Sequence, residues 1–332
     1  MNGQQEYTNK FERMISEIIE KATGERKEVL KGYMGHLRDA FSISTKYGYL
    51  TVIKRFTLYI NKSVSEIKYE DYSGFLSEIE NKSSTYKIMA YAALKLFSEY
   101  LLASRRNLEN SMQYIKASKT SKSKEVDKRE KRLKNVLYDD EIVRYINNVE
   151  DGCGSDLAKA RQEKWKERDR CIIELFLTTG MRCSALYRLD VQDINIRTGT
   201  ITTLEKRDKK RTFFLSENTR MCVEEWLIRR KELLGNVETD ALFISNRKKR
   251  LDSSCIFEIT KKYGKDIKNI TPHKLRATFG TQLLEKTNGD LDKVRIAMGH
   301  SSVSTTELYM RRDENKVGKE VAELMSTIVR RE

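Results

Sequence analysis

The sequence predicts a mainly α-helical chain with a small antiparallel β-sheet, an α+β protein built in two parts, and three observations carry that expectation. Apolar residues recur at three- and four-residue spacing through most of the chain. One stretch, Ile194 to Leu215, instead alternates β-branched and aromatic residues around two turn-like clusters, "RTG" and "KRDKK". Between the helical first third and the remainder lies a run with almost no apolar side chains. At 332 residues the chain is long enough for two domains, each burying its own core.

Taken in order, Phe11, Met14, Ile15, Ile18 and Ile19 form a first helical stripe, with Gly24 as its expected stop. A second stripe runs through Tyr49, Val52, Ile53, Phe56 and Ile60, and a shorter one through Tyr72, Phe75, Leu76 and Ile79. Ser83 to Thr85 reads as an N-cap for the next, Tyr86, Met89, Ala90, Ala93, Leu94, Phe97 and Leu101. These faces predict a bundle of about four helices, with residues 1–30 as a helical extension and 31–115 as the bundle proper. Residues 116–136, rich in lysine, cannot bury a core and read as a linker. From 137 to 332 the chain turns apolar again. "LYDDEIVRYI" and "RDRCIIELFLTTG" predict helices, the second ending at Gly180, followed by the three-stranded sheet and more helices. The last of these would carry Val317, Val321, Leu324, Met325 and Ile328 on one face, a stripe that wants a partner.

Lys plus Arg number 64 against 49 Asp plus Glu, a net charge of +15, so a polyanion is the first partner to expect, and nucleic acid ahead of an anionic membrane. No run of about 18 apolar residues is present and the first thirty positions carry charges throughout, which predicts a cytoplasmic protein with no membrane partner. Cys153, Cys171, Cys183, Cys222 and Cys255 form no CxxC pair, so they read as reduced, mostly buried thiols. Neither a metal site nor a cofactor is expected.

Four short segments hold groups suited to phosphate chemistry. In "ITPHKLRATFGTQLLE", Thr271 fits an N-cap and Pro272 the first helical position, which sets His273 and Arg276 three apart in the first turns beside a positive helix end. Arg182 follows the helix-ending Gly180. Lys206, Lys209, Lys210 and Arg211 share the turn between two strands. "AMGHSSVSTTELYM" sets His300 and Tyr309 nine residues apart across a hydroxyl-rich turn. Singly, each has a plainer explanation: a capping arginine, a basic hairpin, a surface histidine.

Their order is more specific. "TGMR", then a strand-turn lysine, then "HKLR", then "MGH", then a tyrosine nine residues on resembles the tyrosine recombinase, or phage integrase, family. The resemblance covers about Leu137 to Tyr309, and the helical N-terminal region is similar to that family's core-binding domain. It implies that Arg182 and Arg276 are paired catalytic arginines, Lys206 the hairpin lysine, His273 and His300 the active-site histidines, and Tyr309 the nucleophile. Two positions depart from the pattern. Ala185 stands where an acid often follows the first arginine by three, and Ala277 to Thr281 reads Ala-Thr-Phe-Gly-Thr where many members have His-Ser-Phe-Ala-Thr.

The implied reaction is attack of the Tyr309 phenol on a DNA phosphodiester, giving a 3′-phosphotyrosyl link and a free 5′-hydroxyl without ATP or metal. A phenol of pKa near 10 is only about one part in a thousand ionised at neutral pH, so it needs the cations around it. The implied partners are double-stranded DNA with a specific recombination site, a homo-tetramer joined through the C-terminal tail, and accessory DNA-bending or directionality factors. Lys116, Lys119, Lys122 and Lys124 of the linker, with Lys209 and Arg211 of the turn, are the expected phosphate contacts. Competing readings are a type IB topoisomerase, a catalytically silent DNA-binding regulator of the same fold, and a metal-dependent nuclease using Asp190 and Asp193.

Overall fold

The computed structural model describes residues 3–37, 40–116, 136–204 and 210–299, in two units, Gly3–Thr120 and Ser121–Glu332. The first unit is helical: α1 (Gly3–Glu20), α2 (Gly24–Leu37), α3 (Ile43–Ile60), α4 (Tyr69–Glu78) and α5 (Ser84–Ala103). Ser42 and Ser83 cap α3 and α5 by accepting the Thr45 and Tyr86 amides, which satisfies donors that a helix start leaves open. The expected stripes then meet in one core. Phe56 stacks on Tyr72 at 4.9 Å and meets Phe75 and Phe97 edge-on.

Two details differ from the sequence-based expectation. Helix α1 ends at Glu20, and Gly24, expected to stop it, opens α2 instead. The break expected between 30 and 31 falls inside α2, whose Val29, Leu30, Tyr33 and Leu37 are buried; Ile15 and Ala22 share their core with Leu50 and Phe97. Residues 3–30 are therefore part of this hydrophobic unit, and Tyr33 seals it by donating to the Ala93 carbonyl at 3.0 Å.

In the second unit, α6 (Asp139–Glu150), α7 (Asp156–Glu163), α8 (Lys166–Thr179) and α9 (Cys183–Leu186) precede the sheet. Helices α10 (Glu217–Leu234), α11 (Ser253–Tyr263), α12 (Pro272–Lys286) and α13 (Leu291–Met298) follow it. The strands β1 (Ile194–Asn195), β2 (Thr200–Leu204) and β3 (Lys210–Phe214) lie in that order, antiparallel throughout, with Thr203 opposite Arg211. Helix α8 is central and packs on α6, α10 and α12, with Cys171, Ile172, Ile173, Leu175 and Phe176 buried. Trp226 of α10 stacks near Phe243 and donates its indole N–H to the Leu242 carbonyl at 3.1 Å, so its polar edge is satisfied inside the core.

The Asp169 charge is buried beside this core and fully partnered. The Asp169 carboxylate receives Arg168 through Nε at 2.8 Å and Nη2 at 2.7 Å, Lys262 at 2.7 Å and the Tyr263 hydroxyl at 2.9 Å. It ties α8 to α11, an arrangement in which removing one partner costs more than the network itself gains. Of the cysteines, Cys171 and Cys222 are buried, Cys153 and Cys183 are half-buried and Cys255 is exposed. The expectation of mostly buried thiols is thus corrected: three of the five retain contact with solvent. Among the described residues no helix is long and apolar enough to cross a membrane.

Candidate active site

The site is assembled where α8, α12 and α13 end or begin. Gly180 closes α8 in the left-handed conformation, φ +59°, its N–H on the Phe176 carbonyl at 3.1 Å. A side chain there would also collide with the Phe279 ring, 2.2 Å from where a Cβ would stand. Gly180→Ala combines left-handed strain with overpacking, and is expected to destabilise by about 2–4 kcal/mol. Denaturant unfolding checks this; a loss below about 0.5 kcal/mol would show that the turn relaxes freely.

The turn at Gly180 buries Met181 and leaves Arg182 as the extended residue before α9, φ −74° and ψ 145°, with its guanidinium half-buried. Its Nη2 donates to the Gly299 carbonyl at 3.1 Å. With alanine at the often acidic position 185, itself buried, that carbonyl is an anchor for the guanidinium.

Helix α12 starts as its sequence predicts: Thr271 accepts the Lys274 amide and Pro272 occupies the first helical position. His273 is exposed in the first turn, whereas Arg276 is turned inward and is only 5% exposed. Arg276 donates through Nη1 to the Gly180 carbonyl and through Nη2 to the Met298 carbonyl at 2.6 Å. The segment 277–281, which departs from the pattern at Ala277, Thr278 and Gly280, has local work to do. Phe279 packs on Gly180, and the Thr278 hydroxyl accepts the Leu137 amide at 2.9 Å.

Helix α13 ends at Met298, with Gly299 left-handed at φ +61°. Here a third guanidinium arrives. Arg211 of β3 lies over the Phe213 ring at 4.5 Å and donates to the carbonyls of Met298 at 2.9 Å, Ile296 at 3.3 Å and Ala297. Arg182, Arg211 and Arg276, far apart in sequence, so converge on the C-terminal carbonyls of one short helix, where unpaired C=O groups favour cations. His300 follows directly in sequence. Lys206, Lys209, His300 and Tyr309 lie outside the described residues, as do Lys119, Lys122 and Lys124; Lys116 is described and exposed. Arg211, expected as a phosphate contact, has its guanidinium turned onto protein carbonyls. No local sequence signal marks this role, because the partners are main-chain groups more than eighty residues away.

The acids considered for a metal serve the local structure. Asp190 is buried and pairs with the Arg250 guanidinium, while Asp193 accepts the Asp190 amide at 2.8 Å and has its carboxyl pushed up by burial. Among the described residues no group of three or more His, Cys, Asp or Glu is placed to hold a metal ion. Tyr263, another tyrosine of the second unit, is fully buried; burial first, and then the Asp169 charge, raise its phenol far above 10. It is not suited to attack.

The chain was compared with known proteins on this basis. Residues 135–316, more than half of the chain, match the phage integrase family. Tyrosine recombinase XerD of Staphylococcus epidermidis is 34% identical over 199 residues, which cover 59% of this chain and 64% of that protein, so this match spans under two thirds of the relative. Tyrosine recombinase XerS of Streptococcus uberis is 28% identical over 87% of this chain and 93% of its own. The structure of XerH site-specific recombinase bound to palindromic difH, a post-cleavage complex, superposes with a TM-score of 0.62 at 23% identity, covering 84% of this chain and 79% of that one, a likeness of fold. The order of the basic motifs, the convergence of Arg182 and Arg276 and the family match agree, and the chain belongs to the phage integrase family.

Proposed function

We propose that this protein is a site-specific DNA recombinase that cleaves and rejoins strands through a 3′-phosphotyrosyl intermediate. The observation that carries the reading is the meeting of Arg182 and Arg276, from two motifs 94 residues apart, beside the residue that precedes His300. Forked guanidiniums at this spot suit a phosphoryl group whose oxygens gain charge during attack. In the proposed step the Tyr309 oxygen bonds to phosphorus as the bond to the 5′-oxygen breaks. The phenol proton passes to His273, and Lys206 protonates the leaving oxygen. The phosphodiester energy stays in the protein–DNA link, so religation needs no ATP.

The sequence relatives are named tyrosine recombinases and the XerH neighbour a site-specific recombinase, which favours strand exchange between two sites over the relaxation of a type IB topoisomerase. A plasmid carrying two cognate sites separates the two: exchange yields recombinant circles, whereas a relaxed circle with its sites unexchanged would support the topoisomerase. We also propose that four protomers act together on DNA through the 317–328 stripe, checked by light scattering of the protein–DNA complex. Accessory bending or directionality factors belong to the same proposal; their place is tested by whether purified protein alone recombines the plasmid.

Binding should depend steeply on salt. If about eight phosphates are neutralised, the slope of log affinity against log salt is near −7. Replacing Lys116, Lys119, Lys122 and Lys124 together with glutamine should weaken binding to all sequences alike, because phosphate contacts position without specifying. Anisotropy titrations at several salt concentrations check both, and a slope shallower than about −2 would contradict an extensive phosphate interface.

A further inference from the structure

We infer that Arg211 is a positioning residue, which ties the start of β3 to the end of α13 and thereby fixes the main-chain carbonyls on which Arg182 and Arg276 lie. The inference rests on the reading of Arg182 and Arg276 as active-site groups. Arg211 is the second residue of β3 and stands opposite Thr203, so it belongs to the paired base of the hairpin whose connection contains Lys206. Its guanidinium spans three successive carbonyls, Ile296, Ala297 and Met298, and the Phe213 ring supports it from its own strand.

The far side of the contact is fitted to it. A Cβ on Gly299 would stand 2.1 Å from Arg211 Nη1, and Gly299 is at φ +61°, so glycine there both takes the left-handed turn and leaves room for the guanidinium. Arg276 shares the Met298 carbonyl from the opposite motif. One helix end is therefore held by the strand bearing Arg211 and by the helix bearing Arg276, and the next residue in the chain is His300. A lysine at 211 would bring a compact charge in place of a planar fork and would not span three carbonyls.

The test compares Arg211→Lys and Arg211→Ala with the parent protein on a nicked cognate substrate. DNA affinity and its salt slope, single-turnover cleavage at saturating DNA, thermal midpoint, and hydrogen exchange of the peptide covering 291–299 are measured. Cleavage is expected to slow at least tenfold in both variants, with affinity within twofold, an unchanged slope, and faster exchange at the 296–299 amides. Lysine should not restore the rate. A rise in Kd with a slope shallower by about one and a parental saturated rate would make Arg211 a phosphate contact and overturn the inference. So would faster exchange or a lowered thermal midpoint with cleavage intact, which marks a merely structural arginine, and so would parental rate and exchange together. A parent protein that forms no adduct at Tyr309 fails the active-site reading instead, and the exchange measurement then still decides whether the clamp exists.

Discussion

Tyr309→Phe is expected to abolish the covalent protein–DNA adduct while sparing specific binding. The change removes one oxygen and leaves the ring, so packing is little altered, but the phenylalanine ring has no atom that can form a bond to phosphorus. The parent protein, incubated with a nicked substrate carrying the cognate site and chelator, should give a slow-migrating species on a denaturing gel. Peptide mapping should place the 3′ end of the cut strand on the peptide containing Tyr309. Tyr263 is the informative comparison: its phenol is buried, donates to Asp169 at 2.9 Å and is held protonated by burial and by that carboxylate. Tyr263→Phe should therefore lose stability and keep the adduct. An adduct that persists in Tyr309→Phe, or maps to another tyrosine, would overturn the assignment. Absence of any adduct from the parent on a proven site would favour the silent regulator.

Much of this fold is legible in sequence wherever a local rule decides. Ser83 before the Tyr86–Leu101 stripe, Thr271 with Pro272, Gly180 after Thr179 and the alternation of β2 and β3 each state their element within a few residues. Helix α2 escapes such reading although Val29, Leu30, Tyr33 and Leu37 keep helical spacing, because Gly24 reads as a stop and Gly32 and Gly35 weaken its local propensity, so tertiary burial of those four side chains decides it. At the site, Arg182 and Arg276 were legible as residue types in order, but not what anchors them. Their partners are the carbonyls of Gly299, Gly180 and Met298, and every residue has a carbonyl. Arg211 shows the same limit more sharply: from sequence it is one of several cations in a basic turn, and only the approach of α13 gives its guanidinium a partner.

Arg276→Ala is expected to slow cleavage at least about a hundredfold, the usual cost of losing one preorganised donor from a charge-stabilising site. Two roles are joined in this side chain. Its guanidinium bridges the Gly180 and Met298 carbonyls, so it holds the turn before Arg182 against the end of α13, and by the proposed mechanism it also meets the developing charge on phosphate. Alanine leaves both carbonyls without that donor in a buried setting, which is expected to destabilise by about 2–4 kcal/mol. Rates must therefore be compared well below the lowered thermal midpoint. Arg276→Lys separates the roles. It keeps a charge near the phosphate but cannot bridge two carbonyls in a forked geometry, so it should recover part of the stability and little of the rate. DNA affinity should change only a few-fold in either variant, since one buried arginine contributes little to a phosphate interface of this size. Near-parental cleavage of a suicide substrate by Arg276→Ala would remove Arg276 from the chemistry and leave it a structural bridge. Equal recovery of rate and stability by lysine would show that charge alone suffices, and that the bridge between Gly180 and Met298 is not what positions the site.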